Sequence, residues 1–358
     1  MRALLYLAAL SALVVLCAAT TTTTTARLGT RDLDGDAGRE KALARLSDYG
    51  FFEGRLAELR PAANVYPYAL NTPLFSDYAH KARFVYLPAG TAMHWRDREV
   101  LDLPVGAYLI KHFYYLADER AGGDTPDARR LVETRLLKHT AAGWKAWGYW
   151  WDDDQRDARY KPLGGKAAVT WIDARGETRR VDYEAPNQFE CKSCHSFAGE
   201  LRPIGPSARQ LHGGADGYLA TWVDAGLVTG APADRDAWPA MDWRDPAATP
   251  EESARAYLDA NCGYCHRHEG PASTSGLFLA AHYPTGPATG VRKSPVAAGK
   301  GSGGLKYDVY PGKPDKSILY YRMASDEAAV RMPEVGRSVA HEEGLAVVRA
   351  WIEAMPTR

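Results

Sequence analysis

The chain has 358 residues, long enough for two or three domains that each bury a core, so no covalent staple is needed for stability. Its 44 Lys and Arg balance its 44 Asp and Glu, which removes the basic excess expected of a nucleic-acid binder and leaves no acidic tail. Ten Trp and twenty Tyr, most of them in the first half, favour pleated surfaces there.

The N-terminus reads as an export signal over 1–19. Arg2 gives the positive start, and Ala3 to Leu16 form an apolar run too short for a stable bilayer anchor. Small residues at 17 to 19 suit cleavage after Ala19; cleavage before Cys17 with lipidation of that cysteine is the alternative, and Leu16 stands where a lipoprotein signal wants a small residue. The Thr20 to Thr25 run and the polar residues to 38 read as a flexible tether. Export places the chain in the periplasm or at the cell surface, with membrane contact only if Cys17 carries a lipid.

Residues 39–185 read as a β-rich domain. The segments Ala82 to Pro88, Gly106 to Leu116, Arg130 to His139, Gly143 to Asp152, Ala167 to Asp173 and Glu177 to Tyr183 are rich in Val, Tyr, Trp and Leu and are separated by turn signals. Regular strands without intervening amphipathic helices predict an antiparallel sandwich or barrel. The cluster Trp144, Trp147, Tyr149, Trp150 and Trp151 either packs the sheet or floors a pocket.

The remaining four cysteines fall in two copies of one pattern: Cys191-Lys-Ser-Cys194-His195 and Cys262-Gly-Tyr-Cys265-His266. Two thiols with two residues between them can form thioethers with the vinyl positions of one porphyrin, and the next histidine then ligates iron. A four-cysteine zinc site needs no histidine after each pair. A thioredoxin-like dithiol wants a strand-to-helix junction in a βαβ setting, which the flanks lack. Structural disulfides, the usual employment of exported cysteines, do not explain the histidines either. The expectation is two covalently bound c-type haems, with His195 and His266 on the irons.

Sixth ligands come from later residues. Arg331-Met332-Pro333-Glu334 follows the second motif as a methionine ligand often does, and Met323 is its rival. For the first haem the candidates are Met241, in Trp238-Pro-Ala-Met241-Asp-Trp243, and His212. A core role is the plain alternative for each methionine. Thr249 and Pro250 open a helix that runs through Tyr257 and Leu258 to Asn261 and into the second motif; His341 to Ile352 forms a closing helix. Tyr283 to Gly304 reads as a surface loop. The expected architecture is therefore α+β: a β-sandwich-like domain, a first haem domain over 186–248 and a second over 249–358, both mainly helical.

Helix, motif, late Met-Pro and closing helix make 249 to 354 resemble a class I cytochrome c domain. In that class the carbonyl of a proline after the motif accepts the hydrogen bond of the ligand histidine, a part the resemblance assigns to Pro206, in Pro203-Ile-Gly205-Pro206, for His195. The mature chain as a whole resembles a family of bacterial two-haem c cytochromes with a β-rich N-terminal region. The strings Asn71-Thr-Pro-Leu-Phe-Ser-Asp77, Glu133-Thr-Arg-Leu-Leu137, Pro186-Asn-Gln-Phe-Glu-Cys191, Gly270-Pro-Ala-Ser-Thr-Ser-Gly276, Pro311-Gly-Lys-Pro314 and Met332-Pro-Glu-Val-Gly-Arg337 carry that resemblance. It implies an electron carrier acting between redox partner proteins. The rival expectation is a diheme enzyme, peroxidase- or oxidase-like, with one open or displaceable haem site; a third is a binding module whose β domain grips a partner or glycan. One departure is that no amphipathic helix precedes Cys191, so the first haem is expected to lean on the β domain.

Overall fold

The structure is a computed structural model that describes residues 40–121, 123–212, 217–296 and 299–357. The predicted signal, the tether and Cys17 lie outside the described residues. The described part is mixed, with a six-stranded antiparallel sheet and six helices.

The sheet is a meander of β1 (Val65–Tyr68), β2 (His80–Tyr86), β3 (Tyr108–Leu116), β4 (Arg129–Thr140), β5 (Gly143–Trp151) and β6 (Ala158–Tyr160), each pairing with the next. Four of these lie where the alternating aromatic and β-branched runs predict them; β1 and β6 are too short to stand out. A separate antiparallel ribbon, β7 (Gly165–Ile172) and β8 (Thr178–Ala185), comes from the last two predicted strands.

Because side chains alternate across a strand, each sheet face has its own partner. One face presents Phe84, Tyr86, Tyr108, Ile110, Leu136, Trp147, Tyr149 and Trp151 to Tyr49 and Phe51 of the preceding segment, forming one core. Trp147, Tyr149 and Trp151 are thus sheet packing. The other face is divided. Toward one end Phe113 and Tyr115 pack on Val169, Trp171, Val181 and Tyr183 of the ribbon. Toward the other end Val85 and Leu109 share a core with Leu211, Leu219 and Trp222. Those last residues belong to two short helices, α2 (Ala208–Leu211) and α3 (Tyr218–Asp224), which follow α1 (Glu190–His195). A parallel pair, Met93–His94 with Val228–Thr229, ties this region to the sheet.

The C-terminal part is a helix cluster of α4 (Pro250–Asn261), α5 (Ile318–Ala324) and α6 (Glu342–Ala354). Thr249 caps α4 reciprocally: its hydroxyl accepts from the Glu252 N–H at 3.3 Å and the Glu252 carboxylate accepts from the Thr249 N–H at 2.8 Å. Ala254, Tyr257 and Leu258 of α4 pack with Val348, Trp351 and Ile352 of α6. The Asn71–Asp77 string clasps this cluster to the sheet. The Phe75 N–H donates to Asn261 Oδ1 at 2.7 Å, and the buried Asp77 carboxylate accepts from the N–H groups of Ser338 at 2.6 Å and Val339 at 3.1 Å. No helix of the described residues is long and apolar enough to cross a membrane.

Candidate functional site

The first motif occupies α1, which puts Cys191 and Cys194 one helical turn apart on the same side. Directly after it the chain turns back as a short antiparallel pair, Ser196–Phe197 with Glu200–Leu201. That turn brings the Arg202 carbonyl 2.9 Å from His195 Nδ1. A carbonyl can only accept, so Nδ1 carries the proton and Nε2 is left with its lone pair, the arrangement a metal-ligating histidine needs. The resemblance assigned this acceptor role to Pro206. Its carbonyl instead accepts from the Leu101 N–H at 3.0 Å, because the turn at Ala198 and Gly199 presents Arg202 first. Pro206 does line the same cavity as the motif.

The second motif begins at the C-terminal end of α4, with Cys262 as its cap residue. His266 Nδ1 donates to the Leu277 carbonyl at 3.2 Å, with Ser275 Oγ 3.4 Å away. The two motifs therefore share one logic: an imidazole held through Nδ1 by a downstream backbone carbonyl, 7 residues on in the first and 11 in the second. Burial holds both imidazoles neutral, lowering His195 and His266 to about 4. Gly263 belongs to the motif for a steric reason: a side chain there would collide with Asp259 O and the backbone of Ala280.

The thiols differ. Burial pushes Cys262 up to about 12 and also raises Cys191, whereas the neighbouring Cys265 thiol lowers Cys194. All four are free thiols in the structure.

A cavity of about 170 Å³ adjoins the first motif. Its wall includes Cys191, Cys194 and His195, the apolar sheet residues Leu109, Leu137 and Ala146, and Gly263 and Tyr264 of the second motif. The sheet also contributes Arg83, Lys111, Glu133 and Arg135. A smaller cavity of about 30 Å³ adjoins the second motif, lined by Cys262, Met323, Met332, Pro333, Arg337 and His341. Met332 and its rival Met323 thus stand together beside Cys262, while His266 is not part of that wall. The Met332 loop is held by the buried Arg337, whose guanidinium donates to the carbonyls of Met332 at 3.1 Å, Met323 at 3.1 Å and Ser325 at 2.8 Å.

Met241 and His212 are not brought to the first cavity. The Met241 N–H donates to the Arg209 carbonyl at 2.9 Å and its carbonyl accepts from Thr72 Oγ1 at 3.3 Å. The His212 ring packs edge-on against Trp238 at 5.5 Å. The described wall residues of the first cavity include no methionine and no histidine besides His195.

The donor sets have the chemistry a covalent haem uses, paired thiols and an Nε2 freed by its partner nitrogen's hydrogen bond, and at the first motif both thiols and His195 also open onto one cavity. What sequence reasoning missed is the charged wall contributed by the sheet, since Arg83, Lys111 and Arg135 come from three separate strands. Comparison with family models, with curated proteins and with solved structures found no match for this chain.

Proposed function

We propose that the protein is an exported diheme c-type cytochrome that passes electrons between redox partner proteins in the periplasm or at the cell surface. In this reading a β-rich domain is followed by two mainly helical haem-carrying regions, 186–248 and 249–358. The observation that carries it is the repeated pair of features, C-x-x-C-H with the histidine Nδ1 donating to a downstream carbonyl, found at His195 and again at His266.

The bound group would supply one-electron chemistry at iron. The chain's own residues do the rest. Cys191 with Cys194, and Cys262 with Cys265, offer the thioether sulfurs. Arg202 and Leu277 orient the imidazoles. Arg337 holds the loop that places Met332 beside Cys262. Leu109, Leu137 and Ala146 give the first cavity an apolar side that excludes water.

The test is direct: purified protein matured with the haem-attachment machinery should carry two haems that acid acetone does not extract. A colourless protein, or one that loses its pigment to acid acetone, overturns the reading.

A diheme enzyme, peroxidase- or oxidase-like, is the second reading. The absence of Met241 and His212 from the described wall of the first cavity favours it. Paramagnetic resonance separates the two: low-spin iron at both haems supports the carrier, whereas a high-spin signal that responds to cyanide or peroxide supports the enzyme.

A further inference from the structure

We propose that Arg83, Lys111 and Arg135 form a binding site for a pair of carboxylates, and that the propionates of the haem on the first motif occupy it. The proposal rests on the diheme reading and deepens it by assigning part of the haem site to the β domain.

The three cations stand in one row across the sheet. Arg83 of β2 pairs directly with Lys111 of β3, and Lys111 pairs directly with Arg135 of β4. Directly paired residues point to the same face, so three positive side chains stand shoulder to shoulder there. Like charges in direct cross-strand positions repel, so an anion shared by the three would stabilise the row.

Of the carboxylates in the described cavity wall, Glu99 is held by Arg267 and Asp259 by Arg209, and Glu133, the one beside the row, is already committed. It takes two hydrogen bonds from Arg135, at 2.7 and 2.8 Å, and a third from the Tyr183 hydroxyl at 2.6 Å. Arg83 has no such relief. It is 7 % exposed, and its Nη2 is buried without a hydrogen-bond partner. Lys111 Nζ lies 4.9 Å from the centre of the Phe113 ring, a weak substitute for an anion. Burial and the neighbouring Arg83, Arg135 and Lys81 push its ammonium well below the ordinary lysine range, with Glu133 opposing. A buried guanidinium with an idle donor calls for an acceptor.

All three line the cavity that also holds Cys191, Cys194 and His195. A porphyrin bonded through its vinyl edge presents two carboxylates at its other edge, and arginine is suited to carboxylates because its planar fork donates two parallel hydrogen bonds. Two carboxylates against three cations and Glu133 leave the group balanced.

The experiment uses the mature protein and its Arg83→Gln, Arg83→Lys and Lys111→Met variants. Haem stoichiometry comes from the pyridine haemochrome, both midpoints from spectroelectrochemistry and propionate bending modes from resonance Raman. A cation near the propionates favours the extra electron of the reduced state. Arg83→Gln and Lys111→Met should therefore keep both haems, lower the first midpoint by the equivalent of about a tenfold change in equilibrium, about 59 mV for one electron, and move the second by less. Arg83→Lys should restore most of the loss. If Arg83→Gln does not fold, Lys111→Met still decides, since it exchanges an ammonium for an apolar chain of similar length. Unchanged first midpoints and propionate modes with two haems present overturn the cradle alone; a wild type without haem overturns the diheme reading beneath it. If the row serves a free dicarboxylate instead, added succinate will perturb the first haem of the wild type while the variants leave the propionate modes untouched, and that outcome also overturns the proposal.

Discussion

Cys265 Sγ donates to the Ser193 carbonyl at 3.6 Å, so the second cysteine of one motif meets the backbone of the other. Tyr264 of the second motif lines the same cavity as Cys191, Cys194 and His195 of the first. In the diheme reading, motifs that adjoin before haem attachment would carry adjoining haems after it. Charge on one haem would then be felt by the other, because the protein between them is a low-dielectric medium that screens little. Spectroelectrochemical titration should give two curves that cannot be fitted as independent sites, and exchanging Cys262 and Cys265 for alanine should shift the first midpoint. Paramagnetic resonance should show broadening of each ferric signal that vanishes when the other haem is reduced. Two independent curves would break the link between the sulfur contact and electronic communication.

Much of this was readable from residues one after another. The alternating runs in β2 to β5 announced the sheet because period-two patterning is local. Thr249-Pro250 with Glu252 announced α4 because capping is local too. The charged row was not readable, since Arg83, Lys111 and Arg135 are 52 positions apart along the chain from first to last and meet only through strand register. Glu133 and Arg135 stood out only as part of a string, without a role. The acceptor for His195 was misplaced by four residues, from Arg202 to Pro206, because a tight two-strand turn leaves little trace in composition. Asp77, another member of a string, acquires its meaning only through Ser338 and Val339, more than 250 positions away in the chain.

Arg337 positions Met332 through the backbone of its loop. Its hydrogen bonds to the carbonyls of Met332, Met323 and Ser325 fix the loop from within. Met332→Ala should abolish the weak sulfur-to-iron band of one haem and lower its midpoint, since a thioether ligand raises potential. Arg337→Gln should weaken the same band while leaving methionine in the sequence, and Arg337→Lys should recover it only in part because the ammonium lacks the guanidinium's spread of donors. An intact band in Met332→Ala removes that residue as a ligand and shifts attention to Met323.

Gly344 lies where α6 crosses α4, against the ring of Tyr257, whose hydroxyl is hydrogen-bonded to His341 Nδ1 at 3.0 Å. A methyl group at this position would run into the Tyr257 phenol. Intrinsic helix propensity favours alanine over glycine by roughly 1 kcal/mol, so a net loss of stability isolates the clash. Gly344→Ala is expected to destabilise by about 1–3 kcal/mol in urea unfolding and to disturb the spectrum of the second haem more than the first. Equal or greater stability would mean that the helices separate at no cost.

His112 gives the fold a pH dependence of its own. It is fully buried on the sheet face that also carries Phe84, with its ring edge-on to Phe84 and Phe52, Nδ1 2.7 Å from Thr134 Oγ1 and Nε2 without a partner. Burial lowers its pKa from 6.5 to about 3, with the Arg129 charge acting in the same direction. Between those two values the unfolded chain binds a proton at this position and the native chain does not, so stability is full above pH 6.5 and falls as the pH drops toward 3. One proton gives a slope of at most about 1.4 kcal/mol per pH unit. Urea unfolding from pH 6.5 down to pH 4 should therefore show His112→Phe losing less stability than the wild type, the difference amounting to about one proton. His341, held near 4 by burial, titrates in the same window in both proteins and cancels from the comparison. Parallel stability curves would show that the native sheet opens to admit the proton at His112, and that this face of the sheet is not the sealed layer its packing implies.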